Sequence, residues 1–355
     1  MSDYPNSIPG FTSQTKGLIG TSAFINDVTD ELLAGFLEFG TLPKGRFADV
    51  KTRLDSIHRL GPRNLIINGG FYFGQRGTSF VNPANNDYTL DRWRFNKSGT
   101  TPPTVTVSQV STGSGFALRY DITVAGSGTP ITEARQFVEN PPDSALNGRT
   151  ISFFARVKAS VAGKVRLFLN NGAGTSFSTF HTGGGAYEDL RIEGIVHSTG
   201  DPFMGLTINP ADFTGIIDMA DVMLVIGDKV EGYTPLPADL ELARCQRYYE
   251  KSYNVNVNPG TATAMIEYIG SPAAAGTNLV RLATKFKVSK RAVPTINFYD
   301  SAGISGVVTR DNNGTETNGQ AVVAGTVGLN GFAFNVTPAA AATAIGWHWT
   351  ANAEF

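Results

Sequence analysis

Aromatic and arginine side chains are concentrated in one turn-rich stretch of the chain, residues 71–94. Sugar rings present apolar C–H faces that stack on aromatic rings, and their hydroxyl groups pair with guanidinium, amide or carboxylate groups. The stretch therefore predicts carbohydrate binding at Tyr72, Arg76, Tyr88, Arg92 and Trp93. The alternative left open is that Phe71 and Trp93 are core residues and that the two arginines satisfy buried backbone groups.

A second aromatic pair lies near the end of the chain. Trp347 and Trp349 are two residues apart in a strand-like segment, so both side chains point to the same side of that strand. They form either a stacking platform for sugars or part of a core or a subunit interface.

Motifs for catalysis or for a tightly bound group are missing from the sequence. It contains no nucleophile elbow, zinc-peptidase motif, phosphate-binding loop or dinucleotide fingerprint. The four histidines and the single cysteine are scattered without metal-ligand spacing. We therefore expect no enzyme, no metal and no cofactor. Carboxylate pairs such as Asp87 with Asp91, or Asp218 with Asp221, leave a glycosidase open in principle, although such residues more often form turns.

Net charge and hydropathy argue against two kinds of partner, nucleic acid and the membrane interior. Lysine and arginine number 29 against 30 acidic residues, so the net charge of −1 predicts no nucleic-acid binding. No apolar run reaches the length of about 18 residues that a membrane span needs, so no membrane insertion is expected. Glycine accounts for 40 of the 355 residues and only 17% are charged, which favours a β-rich chain with many turns.

The chain divides into three predicted parts. Residues 63–235 contain eight or more short segments of period-two hydrophobicity with no helix between them, such as residues 104–110 and 117–124. This pattern predicts an antiparallel jelly-roll β-sandwich. Residues 236–355 begin with a helix after Pro237 and continue as a second small β domain. The predicted fold class is therefore mainly β, preceded by a short helical segment.

Residues 1–62 differ from the rest and predict an attachment arm followed by short helices. Four apolar residues there are spaced three and four apart and form one stripe of a helix. They are Phe47, Val50, Leu54 and Ile57. The stripe predicts either a helix packed on its own domain or a short coiled coil between subunits, which would make these residues an oligomerisation site.

Three stretches resemble the carbohydrate-binding-module-like (galactose-binding-like) sandwich of bacteriophage tail-fibre proteins. The first comprises the segments 64–71, 75–80 and 88–93, and the second the segments 136–140 and 146–156. The third is the helix Leu240–Lys251, whose Cys-Gln-Arg-Tyr-Tyr sequence is the most specific element. The resemblance covers residues 63–255 well and the C-terminal part loosely. The chain departs from the family at Gly74, where a bulky aromatic residue is usual. It also departs at Tyr72, where related sandwiches often have a carboxylate that helps hold calcium; Asp221 matches another such carboxylate.

This resemblance implies a virion protein of a tailed phage, made in the bacterial cytoplasm. We expect a homotrimeric tail fibre that binds host-surface polysaccharide without cleaving it. Residues 1–62 would attach it to a tail or head protein. Two alternatives stay open at this point: a head or collar decoration fibre with a purely structural role, and a polysaccharide depolymerase.

Overall fold

The computed structural model describes residues 64–140, 146–264, 267–273, 279–340 and 342–355. The chain divides into two compact units, Met1–Pro62 and Arg63–Phe355, and the fold below is that of the second. The predicted arm, its helices and the stripe from Phe47 to Ile57 lie outside the described residues. The predicted boundary at residue 235 stays a prediction, because both β-rich parts lie within the one unit.

Two antiparallel sheets form a sandwich. The first sheet has six strands, in the order β1 (Ser79–Val81), β3 (Thr104–Ser111), β4 (Phe116–Val124), β11 (Gly215–Ile226), β6 (Thr150–Ala159) and β9 (Tyr187–Val196). The second has five, in the order β2 (Arg94–Ser98), β5 (Ile131–Phe137), β10 (Phe203–Ile208), β7 (Val165–Asn170) and β8 (Thr175–Phe177). The chain crosses between the sheets at most connections, which is the winding of a jelly roll.

The core lies between the two sheets and is built by alternation along each strand. In β6, Phe153, Ala155 and Val157 face inward, and they share one buried cluster with Leu167 and Leu206 of the second sheet. Burying each large apolar side chain contributes about 1.5–3 kcal/mol, so this cluster stabilises the pairing of the sheets. The predicted antiparallel β-sandwich is confirmed.

The segment Asn64–Ile67, which the sequence predicts as a strand, has no regular strand structure. The side-chain amide of Asn64 donates to the carbonyl oxygen of Val222 at 2.9 Å and accepts from the amide of Leu224 at 3.1 Å. These side-chain bonds add to the backbone bond from the amide of Leu65 to the carbonyl oxygen of Leu224 at 2.9 Å, and the segment is fixed beside β11 without becoming a strand.

The C-terminal part begins with one helix and continues as an eight-stranded sheet. The helix α1 spans Ala238–Gln246 and is shorter than its sequence pattern suggests. Eight strands follow: β12 (Tyr249–Lys251), β13 (Glu267–Ala273), β14 (Val280–Lys285), β15 (Thr295–Tyr299), β16 (Val307–Asn312), β17 (Thr315–Gly328), β18 (Gly331–Val336) and β19 (Ala342–Asn352). The long strand β19 is central, since it pairs with β12 and β13 and also with β15 and β16. The described part of the chain contains no helix long and apolar enough to cross a membrane.

A buried histidine connects β19 to the segment after β12. The imidazole of His348 stacks on the ring of Tyr253 at a centroid distance of 3.9 Å. Its Nε2 donates to the carbonyl oxygen of Ala264 at 3.1 Å, and its Nδ1 lies 3.0 Å from the hydroxyl of Ser252. Burial lowers the pKa of His348 below its ordinary value of 6.5, so the neutral ring is the form that the fold accommodates.

The lowered pKa of His348 predicts loss of stability on acidification. Below pH 6.5 the unfolded chain binds a proton that the folded chain resists, so the free energy of unfolding falls as the pH is lowered from about 7 to about 5. Chemical denaturation across this range should show a shallower pH slope for His348→Gln than for the wild type. Equal slopes for the two proteins would show that this histidine does not titrate on unfolding.

Candidate functional site

The three tryptophans predicted to stack on sugars are core residues. Trp93 is 0% exposed, packs on Phe71 at a centroid distance of 5.1 Å and donates its indole N–H to the carbonyl oxygen of Asn68. Trp347 and Trp349 are 0% and 2% exposed and belong to the C-terminal core. Stacking on a sugar needs an open ring face, and these rings have none.

The two predicted arginines lie where the sandwich meets the C-terminal part. The guanidinium of Arg92 lies 3.5 Å from the centroid of the Tyr248 ring, forms an ion pair with Glu354 and donates to the carbonyl oxygen of Phe137 at 2.7 Å. The guanidinium of Arg76 lies 3.7 Å from the centroid of the Tyr249 ring and 3.3 Å from Glu354. We call this contact the joint; its residues are Arg76, Arg92, Tyr248, Tyr249 and Glu354.

Tyr88 borders the joint, and Tyr72 does not. The hydroxyl of Tyr88 donates to the carbonyl oxygen of Phe355 at 3.4 Å, and burial raises the pKa of Tyr88 above its ordinary value. Tyr72 lies elsewhere on the sandwich, 41% exposed, with its ring edge-on to Phe116 at 5.7 Å. Of the predicted sugar-binding aromatics, Tyr72 is thus the one with an open ring, and its role stays a prediction.

The Cys-Gln-Arg-Tyr-Tyr sequence supplies several contacts to this region. Cys245 is buried in a cluster with Ile67, and the guanidinium of Arg247 lies 3.1 Å from the carboxylate of Glu139. The two tyrosines that follow lie under the joint arginines. The specific sequence of this helix end therefore serves contact between the two β-rich parts.

A different surface combines exposed rings with polar groups. It is the outer face of the five-stranded sheet, the side turned away from the six-stranded sheet. Ten side chains of the strands β2, β5, β10, β7 and β8 alternate with core residues and define what we call the arginine–aromatic face. They are Arg94, Asn96, Glu133, Arg135, Phe137, Arg166, Phe168, Phe177, Phe203 and Thr207.

Strand register places these side chains in rows across the sheet. Phe137 pairs with Phe203, and their ring centroids are 5.1 Å apart. In the next row Arg135 and Phe168 flank Gly205 from opposite sides. A Cβ atom on Gly205 would lie 1.7 Å from the carbonyl oxygen of Ala134, so no side chain fits between them. The guanidinium of Arg135 consequently reaches over Phe168, at 5.9 Å from its centroid, and leaves that ring 2% exposed.

The β8 side of the face carries its most exposed rings. Phe177 and Phe180 are 46% and 44% exposed. The guanidinium of Arg166 lies over both, at 3.7 Å and 4.6 Å from the two centroids. An arginine held over aromatic rings presents its N–H groups at a defined position, next to apolar surface.

The opposite side of the face, at β2, is rich in planar amides. Arg94 lies over the ring of Phe137 at 5.4 Å and donates to the side chain of Asn86. Asn96 donates to Asn86 at 2.6 Å and to Asn85 at 3.2 Å. The Nε of Arg94 and the Oδ1 of Asn96 are buried and have no hydrogen-bond partner among the described residues. The exposed amides of Asn85 and Asn86, by contrast, place planar hydrogen-bonding groups at the surface on this side of the face, where they suit the hydroxyl groups of a polar ligand.

The sequence did not single out this face as a site. Its signal was present in the alternation of Glu133, Arg135 and Phe137 with smaller core residues along β5. In β7, however, Phe168 on the outer face stands between Leu167 and Leu169 of the core. Period-two alternation places Phe168 on the same face as Arg166, but its apolar character gave no reason to read that face as the solvent-exposed one.

The carboxylates considered for catalysis are held by other protein groups. Asp218 is paired with Arg119 at 2.7 Å and Asp221 with Arg156 at 2.8 Å, both on the six-stranded sheet. Asp91 is buried and accepts from the side-chain amide of Gln75 at 2.7 Å. Within the described residues, no group of three or more histidine, cysteine or acidic side chains is placed to hold a metal ion.

Comparisons with known proteins give structural likenesses only. No family model and no curated protein sequence matches the chain. A carbohydrate-binding module, TmCBM61 in complex with β-1,4-galactotriose, is 16% identical with a TM-score of 0.33; the match covers 46% of this chain and 99% of the module. A CBM4 structure is 13% identical with a TM-score of 0.30, over 45% of this chain and 98% of that one.

A third likeness is to tailspike protein 4 of bacteriophage CBA120, in its enzymatically active domain. It is 11% identical with a TM-score of 0.33, and the match covers 46% of this chain but only 21% of the tailspike chain.

The contacts of the joint predict that the isosteric substitution Glu354→Gln lowers the stability of the protein strongly. Glu354→Gln removes the charge that neutralises the buried Arg92, so the free energy of unfolding should fall by about 3–5 kcal/mol in chemical denaturation. The matched control is Asp189→Asn, which breaks the exposed pair with Arg191 and should cost less than about 1 kcal/mol. Similar losses in the two variants would mean that the joint is no stronger than an ordinary surface pair.

Proposed function

We propose that this chain is a non-catalytic glycan-binding protein of a bacteriophage fibre, and that the glycan lies across the arginine–aromatic face. The observation that carries the proposal is the pair of exposed rings at Phe177 and Phe180, held together by the guanidinium of Arg166. Single exposed apolar residues are ordinary on protein surfaces. Two adjacent rings with a shared arginine on a strand-built surface form a site suited to a sugar, which is apolar on its ring faces and polar at its edges.

The dimensions of the face suit an oligosaccharide. Neighbouring strands lie about 4.8 Å apart, so five strands span roughly 19 Å from β2 to β8. Along that span a ligand meets amides at Asn85 and Asn86, a ring pair at Phe137 and Phe203, and a further ring at Phe177. Because the three rings stand on paired strands, that part of the surface needs little ordering when a ligand binds, which favours affinity.

The charges on this face support binding without cleavage. A glycosidase uses two carboxylates about 5–10 Å apart, one of which acts as an acid. The arginine–aromatic face, as defined by its ten side chains, contains one carboxylate, that of Glu133, and it is paired with Arg135. A surface of this composition holds a glycan and supplies no second carboxylate for hydrolysis.

The fibre role rests on the sequence resemblance. In this proposal residues 1–62 attach the protein to a tail or head protein of the virion, and the described unit projects toward the host surface. Three copies in a homotrimer would present three faces, so that weak individual sites act together through avidity. A decoration fibre without glycan binding would share this architecture and would need none of the exposed rings.

Substitution of one exposed ring tests the site. Phe177→Ala removes a ring that is 46% exposed, so it should leave stability nearly unchanged and weaken binding of a recognised polysaccharide about 5–10-fold. The measurement is affinity electrophoresis in gels containing purified host-surface polysaccharide. Tyr72→Ala is the matched control, because Tyr72 is 41% exposed but lies away from the face. Loss of binding in Tyr72→Ala, with none in Phe177→Ala, would move the site to the sequence-predicted residue.

The oligomeric state has a separate test. A homotrimer should give a mass in solution three times the 37.8 kDa of one chain when measured by light scattering. Phe47→Asp together with Leu54→Asp should reduce that mass to one chain if the N-terminal stripe holds the subunits together. A single-chain mass for the wild type would contradict the fibre architecture and leave the glycan site unaffected.

A further inference from the structure

We infer that the glycan recognised by the arginine–aromatic face is acidic and carries carboxylate groups on its sugar residues. This inference rests on the proposed function and specifies its ligand class. Three guanidinium groups, those of Arg94, Arg135 and Arg166, stand on the face against the single carboxylate of Glu133. The face therefore has a net charge of +2, while the whole chain has a net charge of −1.

The other outer face of the same sandwich shows that this excess is local. On the six-stranded sheet each of three arginines has its own aspartate. Arg119 is paired with Asp218 at 2.7 Å, Arg156 with Asp221 at 2.8 Å and Arg191 with Asp189 at 3.1 Å. These pairs leave no net charge among the six side chains, so each of the three arginines is already neutralised by a protein carboxylate.

Two arginines of the arginine–aromatic face have no acidic partner among the described residues. Arg166 contacts the rings of Phe177 and Phe180, and within the described chain no carboxylate lies within 4 Å of it. Arg94 contacts the ring of Phe137 and the amide of Asn86, which are neutral. Neutral hydroxyl groups can be bound by amides alone, whereas a guanidinium fixed over a ring matches the planar, bidentate geometry of a carboxylate.

Arg135 differs because it has a partner on its own strand. Glu133 lies two residues before it and forms an ion pair with it, while the guanidinium of Arg135 extends over Phe168 and Phe203. Glu133 thus opposes an anionic ligand in two ways, through its own charge and by occupying Arg135. Removing this one charge should strengthen the binding of an acidic glycan.

The test is an array of purified bacterial capsular polysaccharides and O-chains, neutral and acidic. Each acidic member is printed beside its carboxyl-reduced derivative, which has the same linkages and no carboxylate. The full-length protein should bind at least one acidic member and lose about tenfold or more in affinity for its reduced form. Binding to the acidic member should also weaken as salt is raised.

Three substitutions separate site-specific recognition from general attraction. Arg166→Gln should weaken binding of the acidic member about tenfold, and Glu133→Gln should strengthen it severalfold. Arg156→Gln is the matched control, since it removes one positive charge from the opposite face of the same domain and should leave binding unchanged.

The possible outcomes distinguish this inference from the proposed function. If the protein binds neutral members, or binds acidic members and their reduced forms equally, the inference that the glycan is acidic is wrong and the proposal of glycan binding is kept. Equal losses of affinity for the acidic polysaccharide in Arg166→Gln and Arg156→Gln also contradict the inference. The affinity would then come from the overall charge of the protein and not from the arginine–aromatic face. Absence of binding to every member of the array overturns the proposed function itself.

Discussion

The buried guanidinium of Arg92 is the interaction on which the arrangement of the described chain depends. Glu354 neutralises its charge, the ring of Tyr248 covers it, and the carbonyl oxygen of Phe137 accepts one of its N–H groups. A buried charge without a partner would cost several kcal/mol. Because these partners come from the sandwich, the segment after α1 and the end of the chain, Arg92 can be satisfied only when the two β-rich parts are in contact.

The joint and the arginine–aromatic face meet at Phe137. The backbone of this residue accepts from Arg92, and its ring packs on Phe203 within the face. The ring of Phe355 stacks on the same side chain at 5.4 Å, so the end of the chain forms one border of the face. The contact that fixes the two β-rich parts therefore also fixes one side of the proposed binding surface.

The same pair of residue types, arginine and an aromatic ring, serves two purposes in this protein. In the joint, Arg76 and Arg92 lie over tyrosine rings and are paired with Glu354; Arg92 is buried and Arg76 is half-buried. On the face, Arg166 lies over phenylalanine rings that are nearly half exposed. The sequence predicts sugar binding where arginine and aromatic residues are close together, but the first such pairs along the chain, at Arg76 and Arg92, have a structural role. The partner that makes it structural, Glu354, lies 262 residues from Arg92, beyond the reach of any local pattern.

The local elements could be predicted from the sequence, because alternation of side chains along a strand and turn residues between strands are properties of neighbouring residues. The sequence was thus sufficient for the antiparallel sandwich, the helix before the second β region and the shared side of Trp347 and Trp349. Which polar and aromatic side chains stay in contact with solvent depends instead on how distant parts of the chain pack together. The exposure of these side chains depends on pairing between distant strands and on the burial of Arg92 by residues near Phe355. Neither can be predicted from the spacing of adjacent residues.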